Sequence, residues 1–251
     1  MCILFIAVKQ HPNYPLIIAA NRDEFHARLT SPSHFWEEGF LAGKDEQAGG
    51  TWMGISPEGR FSALTNIRAP STDRFDAKTR GELVLQALAT DDDDMFTETL
   101  KAHAPQYNGY NLVYGTLDKL HVFNSHSLEH NALTPGVYGL SNAKLNTPWP
   151  KTQLGVSALN LACQNPFGLS TETLFSILKN AEKAPDHLLP ETGIAQPWEK
   201  LLSSIFIESP DYGTRSSTIV TVDNENNVLW HEKTFSASGE VIGEVKESLS
   251  I

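Results

Sequence analysis

Residues 1–25, which read MCILFIAVKQHPNYPLIIAANRDEF, hold the pattern on which the fold of this chain depends. Two apolar runs, 2–8 and 15–20, flank a turn-forming His-Pro-Asn-Tyr-Pro segment and predict a β-hairpin of two buried strands. Asn21 to Glu24 follow the second run directly and are predicted to form the turn that ends it. Such a polar cluster is costly beside an apolar core unless its charges have partners, which suggests a functional site.

The order of the elements along the rest of the chain predicts the fold class. Strands come first, helices lie in the middle and strands return, with no regular alternation of strand and helix. This order is typical of an α+β protein with antiparallel sheets. The predicted hairpins are 51–66, 109–124 and 217–235, a further strand is 137–141, and the predicted helices are 80–90, a short one after Asp91–Asp94, 151–163 and 170–183. Residues 26–47 are predicted to be irregular, and a single domain is predicted over residues 1–251.

Length and charge limit the classes of partner. The chain has 251 residues and a net charge of −11, which argues against binding to nucleic acid or to an anionic membrane. Its apolar runs all fall well short of the roughly 18 residues of a membrane-spanning helix, and the start is a poor signal peptide. Only two cysteines are present, which suits a reducing compartment. We therefore expect a cytoplasmic protein that acts on a small molecule.

Cys2 is in an unusual place for one of only two cysteines. Methionine aminopeptidases generally remove Met1 when the second residue is small, and Cys2 would then carry both a thiol and a free α-amine. The amine, with a reference pKa of about 8, can act as the base for its own side chain. The alternative is that Cys2 is simply a small buried apolar residue.

Three other strands are also bounded by polar residues, at 63–68, 138–145 and 212–220. Asn66, Asn142 and Arg215 are ordinary turn or surface residues when each is taken alone. Together with Asp23 they supply what acyl transfer needs. Carboxamides can donate to an oxyanion, Asp23 can hold an ammonium group, and Arg215 can lower the pKa of a thiol or bind a carboxylate.

The stretches MCIL, LIIAANRDEF, GGTWMGI and TNIR resemble the NRDE family, which includes the eukaryotic Transport and Golgi Organization protein 2. The resemblance spans essentially the whole chain. More distantly, the arrangement is similar to the N-terminal-nucleophile hydrolases of the bile-salt hydrolase and penicillin V acylase group. This second resemblance implies a four-layer αββα sandwich, in which two antiparallel sheets lie between layers of helices.

The same resemblance implies a set of site residues. It makes Cys2 the nucleophile and Asp23 the acid that contacts the amine and the thiol. Asn66 and Asn142 fall on the strand-end asparagines, one of which donates to the oxyanion, and Arg215 falls on a late arginine. The arginine that opens the related Arg-Asn-x-Asp motif is replaced by Ala20 here. Arg22, which alternation places on the same side of the strand, is a possible substitute.

We therefore expect an amidohydrolase that cleaves a linear amide in a small N-acylated molecule. Asn21, Arg22 and Trp52 are the expected substrate-binding residues, and no cofactor or metal is expected. His121, His126 and His130 are the nearest approach to a metal-binding group, but their spacing matches no ligand motif. The alternative function is a non-catalytic carrier or organising protein, involved in secretory organisation or haem handling, on the same scaffold.

Overall fold

The computed structural model describes residues 2–165 and 168–251, and this part of the chain forms thirteen β-strands and five α-helices. The strands are β1 (Cys2–Val8), β2 (Leu16–Phe25), β3 (Thr30–Phe35), β4 (Leu41–Asp45), β5 (Met53–Ile55), β6 (Arg60–Asn66), β7 (Tyr110–Thr116), β8 (Lys119–Asn124), β9 (Glu129–Ala132), β10 (Gly136–Leu140), β11 (Tyr212–Val222), β12 (Asn227–Phe235) and β13 (Val241–Ser250). The helices are α1 (Gly81–Ala89), α2 (Asp93–His103), α3 (Pro150–Cys163), α4 (Thr171–Leu178) and α5 (Gln196–Leu201).

The chain divides into two compact units, each with one antiparallel sheet. The first unit comprises the residues up to Ala27, Thr134–Ser141 and Leu145–Ser250, and its six strands run in the order β10-β1-β2-β11-β12-β13. The second unit comprises Arg28–Leu133, Asn142–Lys144 and Ile251, and its seven strands run from β3 to β9 in sequence order. A single domain over residues 1–251 stays a prediction.

In the first unit, α3 and α4 cover one face of the sheet. Side chains at alternate positions of the two N-terminal strands, among them Ile3, Phe5 and Ile17, form a buried cluster with Leu159 of α3. The alternating pattern of the strands stabilises the unit mainly because it buries these apolar side chains. Gly155 lets α3 approach closely, since a Cβ added there would lie 2.0 Å from the Phe5 ring. The close approach fixes the helix layer against the strand that begins at Cys2.

In the second unit, α1 and α2 pack on the sheet through a cluster rich in aromatic side chains. The apolar face of α1, made of Leu83, Val84, Ala87 and Leu88, is buried in this cluster. At the start of α2, the Asp92 side chain accepts a hydrogen bond from the Met95 backbone N–H at 2.9 Å. The acidic run is therefore a capped helix start, as its position beside the positive end of the helix dipole favours.

The structure differs from the sequence-based prediction in four places. The second strand runs on to Phe25, so Asn21 to Glu24 lie within a strand, and the predicted turn is wrong. Residues 26–47 contain β3 and β4, although they were expected to be irregular. The strands β9 and β13 and the helix α5 were missed, and the helix predicted over 170–183 ends at Leu178. The missed strands are mostly exposed or lie at the edges of the sheets, where strands do not need the apolar pattern that reveals buried ones.

The fold class is nevertheless α+β with antiparallel sheets, as predicted from the order of the elements. Within residues 2–165 and 168–251, the structure contains no helix that is both long and apolar enough to span a bilayer.

Candidate active site

Cys2 and Arg22 face each other across the first two strands. In the antiparallel register Cys2 lies opposite Arg22, and Leu4 lies opposite Ala20. Residues that are directly opposite point to the same face of a sheet, so all four share one face. Ala20 and Arg22 therefore lie on the same side, as expected, and that side is the one that carries the Cys2 thiol. Both Cys2 and Arg22 are buried.

Asp23 is buried at the end of the same pair of strands. Thr214 donates a hydrogen bond to Asp23 Oδ1 at 2.6 Å, and the Thr214 hydroxyl accepts one from the Ile207 N–H at 2.9 Å. Burial raises the pKa of the Asp23 carboxyl, while the charges of Lys151 and Arg22 and the bond from Thr214 act in the opposite direction. The carboxyl group is thus held in place by Thr214, and the effect of burial on its pKa outweighs the groups that favour its charged form.

The pKa of the Cys2 thiol is raised above its usual range. Burial is the main cause, and the neighbouring Asp23 carboxylate raises the pKa further, whereas the Arg22 guanidinium lowers it. Arg215 was expected to depress the pKa of this thiol, but the arginine that lowers it is Arg22, and burial outweighs that charge, so the expected depression is wrong. Burial also raises the pKa of Cys163. The surroundings of the two cysteines therefore favour the protonated thiol in both cases. A reaction at Cys2 would need a base to remove that proton.

Arg215 reaches this region through a β-bulge. The register of β11 against β2 shifts between Thr214 and Ser216, so Arg215 is the extra residue. Its guanidinium donates hydrogen bonds to the carbonyl oxygens of Phe25, at 3.0 Å, and His26, at 3.2 Å. Burial lowers the pKa of Arg215, and the Arg22 charge lowers it further.

Asn21 points away from this group, toward the helices. Its amide nitrogen donates to the backbone carbonyls of Leu178, at 2.8 Å, and Ile205, at 3.0 Å. Its amide oxygen accepts a hydrogen bond from Ser217 at 2.6 Å. Both amide N–H groups are therefore used inside the first unit, and we assign Asn21 a structural role in place of the substrate-binding role expected from the sequence.

Asn66 and Asn142 meet in the second unit. The Asn142 amide nitrogen donates to Asn66 Oδ1 at 3.0 Å and to the Asn66 carbonyl at 3.2 Å. The segment around Asn142 is fixed by a bond from Arg68 N–H to its carbonyl, at 2.8 Å, and by a bond from the Asn111 side chain to the Ala143 carbonyl, at 2.8 Å. Asn66 accepts both of these bonds through its oxygen atoms, and its amide nitrogen therefore points away from Asn142.

Trp52, the remaining predicted substrate-binding residue, lies in the second unit and is partly exposed. Its ring covers Gly43, where an added Cβ would lie 2.2 Å from the ring edge. Packing on β4 therefore fixes the orientation of the indole, and its role in substrate binding stays a prediction.

The first unit thus brings together four of the predicted residues, Cys2, Arg22, Asp23 and Arg215. Sequence reasoning missed Thr214 and Lys151, which both act on Asp23. Thr214 directly precedes the predicted arginine and is an ordinary strand residue by type. Lys151 is buried in the first turn of α3, where a lysine is normally solvated, and no local pattern distinguishes it.

A metal centre is not evident in the part of the chain that the structure describes, where no three His, Cys, Asp or Glu side chains are grouped as ligands. Two of the three histidines considered above do meet, since His130 Nε2 and His121 Nδ1 share a hydrogen bond of 2.9 Å.

The fold defines a class of protein. The structure matches the C2A mutant of the conjugated bile acid hydrolase from Clostridium perfringens with a TM-score of 0.57, over 100% of this chain and 92% of that chain, at 8% identity. A likeness at this level of identity shows the fold alone, which this chain shares with that hydrolase. This agrees with the fold implied by the sequence resemblance.

The family follows from the sequence comparisons. The family model described as Transport and Golgi organisation 2 matches residues 1–237, and this chain belongs to that family. The human Transport and Golgi organization protein 2 homolog is 36% identical over 256 residues, which cover 93% of this chain and 92% of the relative. The Drosophila melanogaster Transport and Golgi organization protein 2 is 27% identical over 270 residues, covering 94% and 93%.

Proposed function

We propose that this protein is an amidohydrolase in which Cys2, exposed by removal of Met1, attacks a linear amide in a small N-acylated molecule. The observation that carries the proposal is the arrangement at the start of β1, where Cys2 lies opposite Arg22 and near the buried Asp23 carboxylate. The fold of the bile acid hydrolase supports it, since that protein shares this architecture. Met1 itself lies outside the described residues, and its removal is part of the proposal.

In the proposed reaction the α-amine of Cys2 serves as the base. The thiol has a raised pKa and is protonated before attack, so its proton must leave as the sulfur approaches the carbonyl carbon. The α-amine takes this proton and becomes an ammonium group, and the nearby Asp23 carboxylate stabilises that charge. An amine with a reference pKa of about 8 is well matched to this task near neutral pH.

Collapse of the tetrahedral intermediate breaks the C–N bond, and the ammonium group returns its proton to the leaving amine. Water then attacks the thioester, the α-amine accepts a proton from that water, and the thiol is regenerated. The net reaction is an amide plus water giving a carboxylic acid and an amine. Donation to the oxyanion by Asn142, helped by Asn66, stays the prediction that the family resemblance makes.

We further propose that the enzyme acts in the cytoplasm and on a free small molecule, without nucleic acid or a membrane as partner. The net charge of −11 supports this, because it opposes binding to polyanionic surfaces.

A paired cysteine experiment tests the amidase proposal. Wild type, Cys2→Ala and Cys163→Ala are assayed against a panel of N-acyl amino acids and N-acyl lactones. Cys163 is the matched control, since it is also buried but lies at the end of α3 in an apolar cluster. We expect Cys2→Ala to reduce kcat/KM by at least about a thousandfold, since loss of a nucleophile removes the covalent route. Cys163→Ala should keep most of the activity, and equal losses in the two variants would contradict the assignment.

One observation favours a second function, that of a carrier. The relatives are named for transport and Golgi organisation, which is not a reaction. A carrier needs neither a free amine on Cys2 nor turnover. Wild-type protein that has lost Met1, hydrolyses none of the panel and binds a ligand equally well after Cys2→Ala would establish the carrier in place of the enzyme.

A further inference from the structure

The outer side of α3 carries an exposed apolar stripe. Leu154 is 40% exposed and Leu161 is 71% exposed, and Ala158 lies between them and is partly exposed. Intervals of four and three residues place these three side chains along one side of the helix, in the spacing that the seam of a coiled coil uses. The buried side of α3 packs on the sheet through residues such as Leu159 and Cys163. The stripe is therefore not needed for that contact.

The same side of α3 is free of charge. Residues 152–171 contain no Asp, Glu, Lys or Arg, although 20% of the residues of the chain are charged. Lys151, the charged residue of this helix, is only 4% exposed. The exposed polar residues of the helix are all neutral, namely Gln153, Ser157, Asn160 and Gln164. A loss of charged residues around exposed apolar ones is the compositional mark of the core of a protein interface.

The helix α2 of the second unit shows what an ordinary water-facing helix of this chain looks like. It also packs on a sheet, and Asp94, Glu98 and Lys101 lie on it outside the buried face. Lys101 donates a hydrogen bond to Glu98 Oε1 at 2.7 Å. Charged residues opposite the buried face are the usual pattern of a helix that water covers on one side. The outer side of α3 departs from this pattern, and contact with water does not explain its composition.

Electrostatics favours a second copy of this chain as the molecule that covers the stripe. Each copy has a net charge of −11, so two copies repel each other wherever charged surfaces meet, and an uncharged face is where they can approach most easily. A helix that lies on a membrane surface carries Lys and Arg on its polar side, and the exposed residues of α3 include neither. The outer side of α3 therefore suits a copy of itself better than an anionic lipid surface.

The order of side chains along the stripe is self-complementary. A twofold axis makes each residue of one copy face the same set of residues in the other, so the patch has to match itself. When two α3 helices cross antiparallel with the axis near Ala158, Leu154 of one copy meets Leu161 of the other, and the reverse pair forms at the other end. The small Ala158 side chains at the centre let the two helices approach closely.

We propose that two copies of this protein form a dimer through the outer sides of α3, which cross antiparallel with Leu154 of each copy against Leu161 of the other. The dimer goes beyond the proposed amidase function and does not depend on it, because it uses no residue of the candidate active site. Each copy contributes a single helix of 14 residues, so the contact is small. We expect a Kd of about 1–100 µM, as is usual for interfaces below the standard size.

Sedimentation equilibrium of the whole chain, from about 1 to about 300 µM at physiological salt, tests the dimer. The mean mass of wild type should rise from one copy toward two. Leu161→Glu should raise the Kd at least about tenfold, since the symmetric contact loses this side chain twice. Leu29→Glu is the matched control, because Leu29 is 73% exposed and lies outside α3. A wild type that stays monomeric throughout, or equal Kd values for the two variants, would overturn the proposal.

Three double variants test the antiparallel arrangement in the same experiment. Leu154→Glu with Leu161→Lys places unlike charges opposite each other, whereas two glutamates or two lysines at these positions place like charges opposite each other. The unlike pair should associate at least about tenfold more tightly than both like pairs, because the contact contains two copies of the pair. Net charge cannot produce this order, since the two like pairs change it in opposite directions. Equal Kd values for the three variants, or tighter association of a like pair, would overturn the arrangement.

Discussion

The two faces of β2 place polar side chains in opposite situations. On the face that the helices cover, the polar atoms of Asn21 and Ser217 bond each other and the backbone of the helix layer. On the other face Cys2, Arg22 and Ser216 stand in line, and the Ser216 hydroxyl is buried without a protein partner in the described part of the chain. The contrast teaches that the alternation of side chains along one strand separates a structural network from the row of Cys2, Arg22 and Ser216, while Asp23 belongs to the side of Asn21.

The largest effect on stability is expected from Asn21→Ala, on the helix-covered face. Removal of this amide leaves the Leu178 and Ile205 carbonyls and the Ser217 hydroxyl buried without their partner. At about 1–3 kcal/mol for each buried group left unsatisfied, partly relieved by relaxation, the free energy of unfolding should fall by about 2–5 kcal/mol. Urea unfolding measures this, with the exposed Asn13→Ala as control. A loss of unfolding free energy below about 1 kcal/mol would contradict the structural role of the helix-covered face.

A smaller effect should separate the two adjacent serines. Ser217→Ala removes a bond to Asn21 and should cost about 1–2 kcal/mol of unfolding free energy. Ser216→Ala removes a hydroxyl that has no protein bond to lose and should change the unfolding free energy by less than about 0.5 kcal/mol. Urea unfolding of the pair, carried out side by side, reports the difference. Equal destabilisation would mean that the two hydroxyls are both structural.

The pH dependence of stability tests the effect of burial on Asp23. Burial raises the pKa of Asp23, so the folded protein holds this proton more tightly than the unfolded chain does. The stability that this group contributes is present below its unfolded pKa of about 3.9 and is lost as the pH rises through the folded pKa. Asp23→Asn is neutral at every pH and can keep the bond from Thr214. Its unfolding free energy relative to wild type should therefore increase as the pH rises from 4.

Urea unfolding of the two proteins at several pH values between 4 and 8 measures this difference, because all other titrating groups are common to both. A difference that stays constant or decreases with pH would contradict the raised pKa of Asp23.

Much of the fold was predictable because its signals are local. The apolar runs at 2–8 and 15–20 and the helix over 80–90 follow from periodicity and residue type. The extension of β2 through Asn21 to Glu24 was not predictable from the sequence, because four polar residues normally end a strand. It is possible here only because Asn21 and Asp23 find partners far away in sequence, in Ser217 and Thr214.

The same reason limits what the sequence says about the site. Cys2 and Asp23 were found from their residue types and from a family resemblance. The balance of burial against charge that raises the pKa of Cys2 depends on the packed structure, and so the expected lowering was wrong. The bulge at Arg215 depends on the pairing of two strands almost 200 positions apart. No single stretch of sequence contains that pairing.

The central claim is that Cys2 is the N-terminal residue and the nucleophile, and mass spectrometry tests it most directly. Protein from its native host is weighed intact, mixed with p-nitrophenyl octanoate, quenched in acid and digested. The account predicts an intact mass without Met1, and an octanoyl group on the peptide that begins at Cys2. Retention of Met1, or an octanoyl group on the Cys163 peptide with none on Cys2, would contradict it.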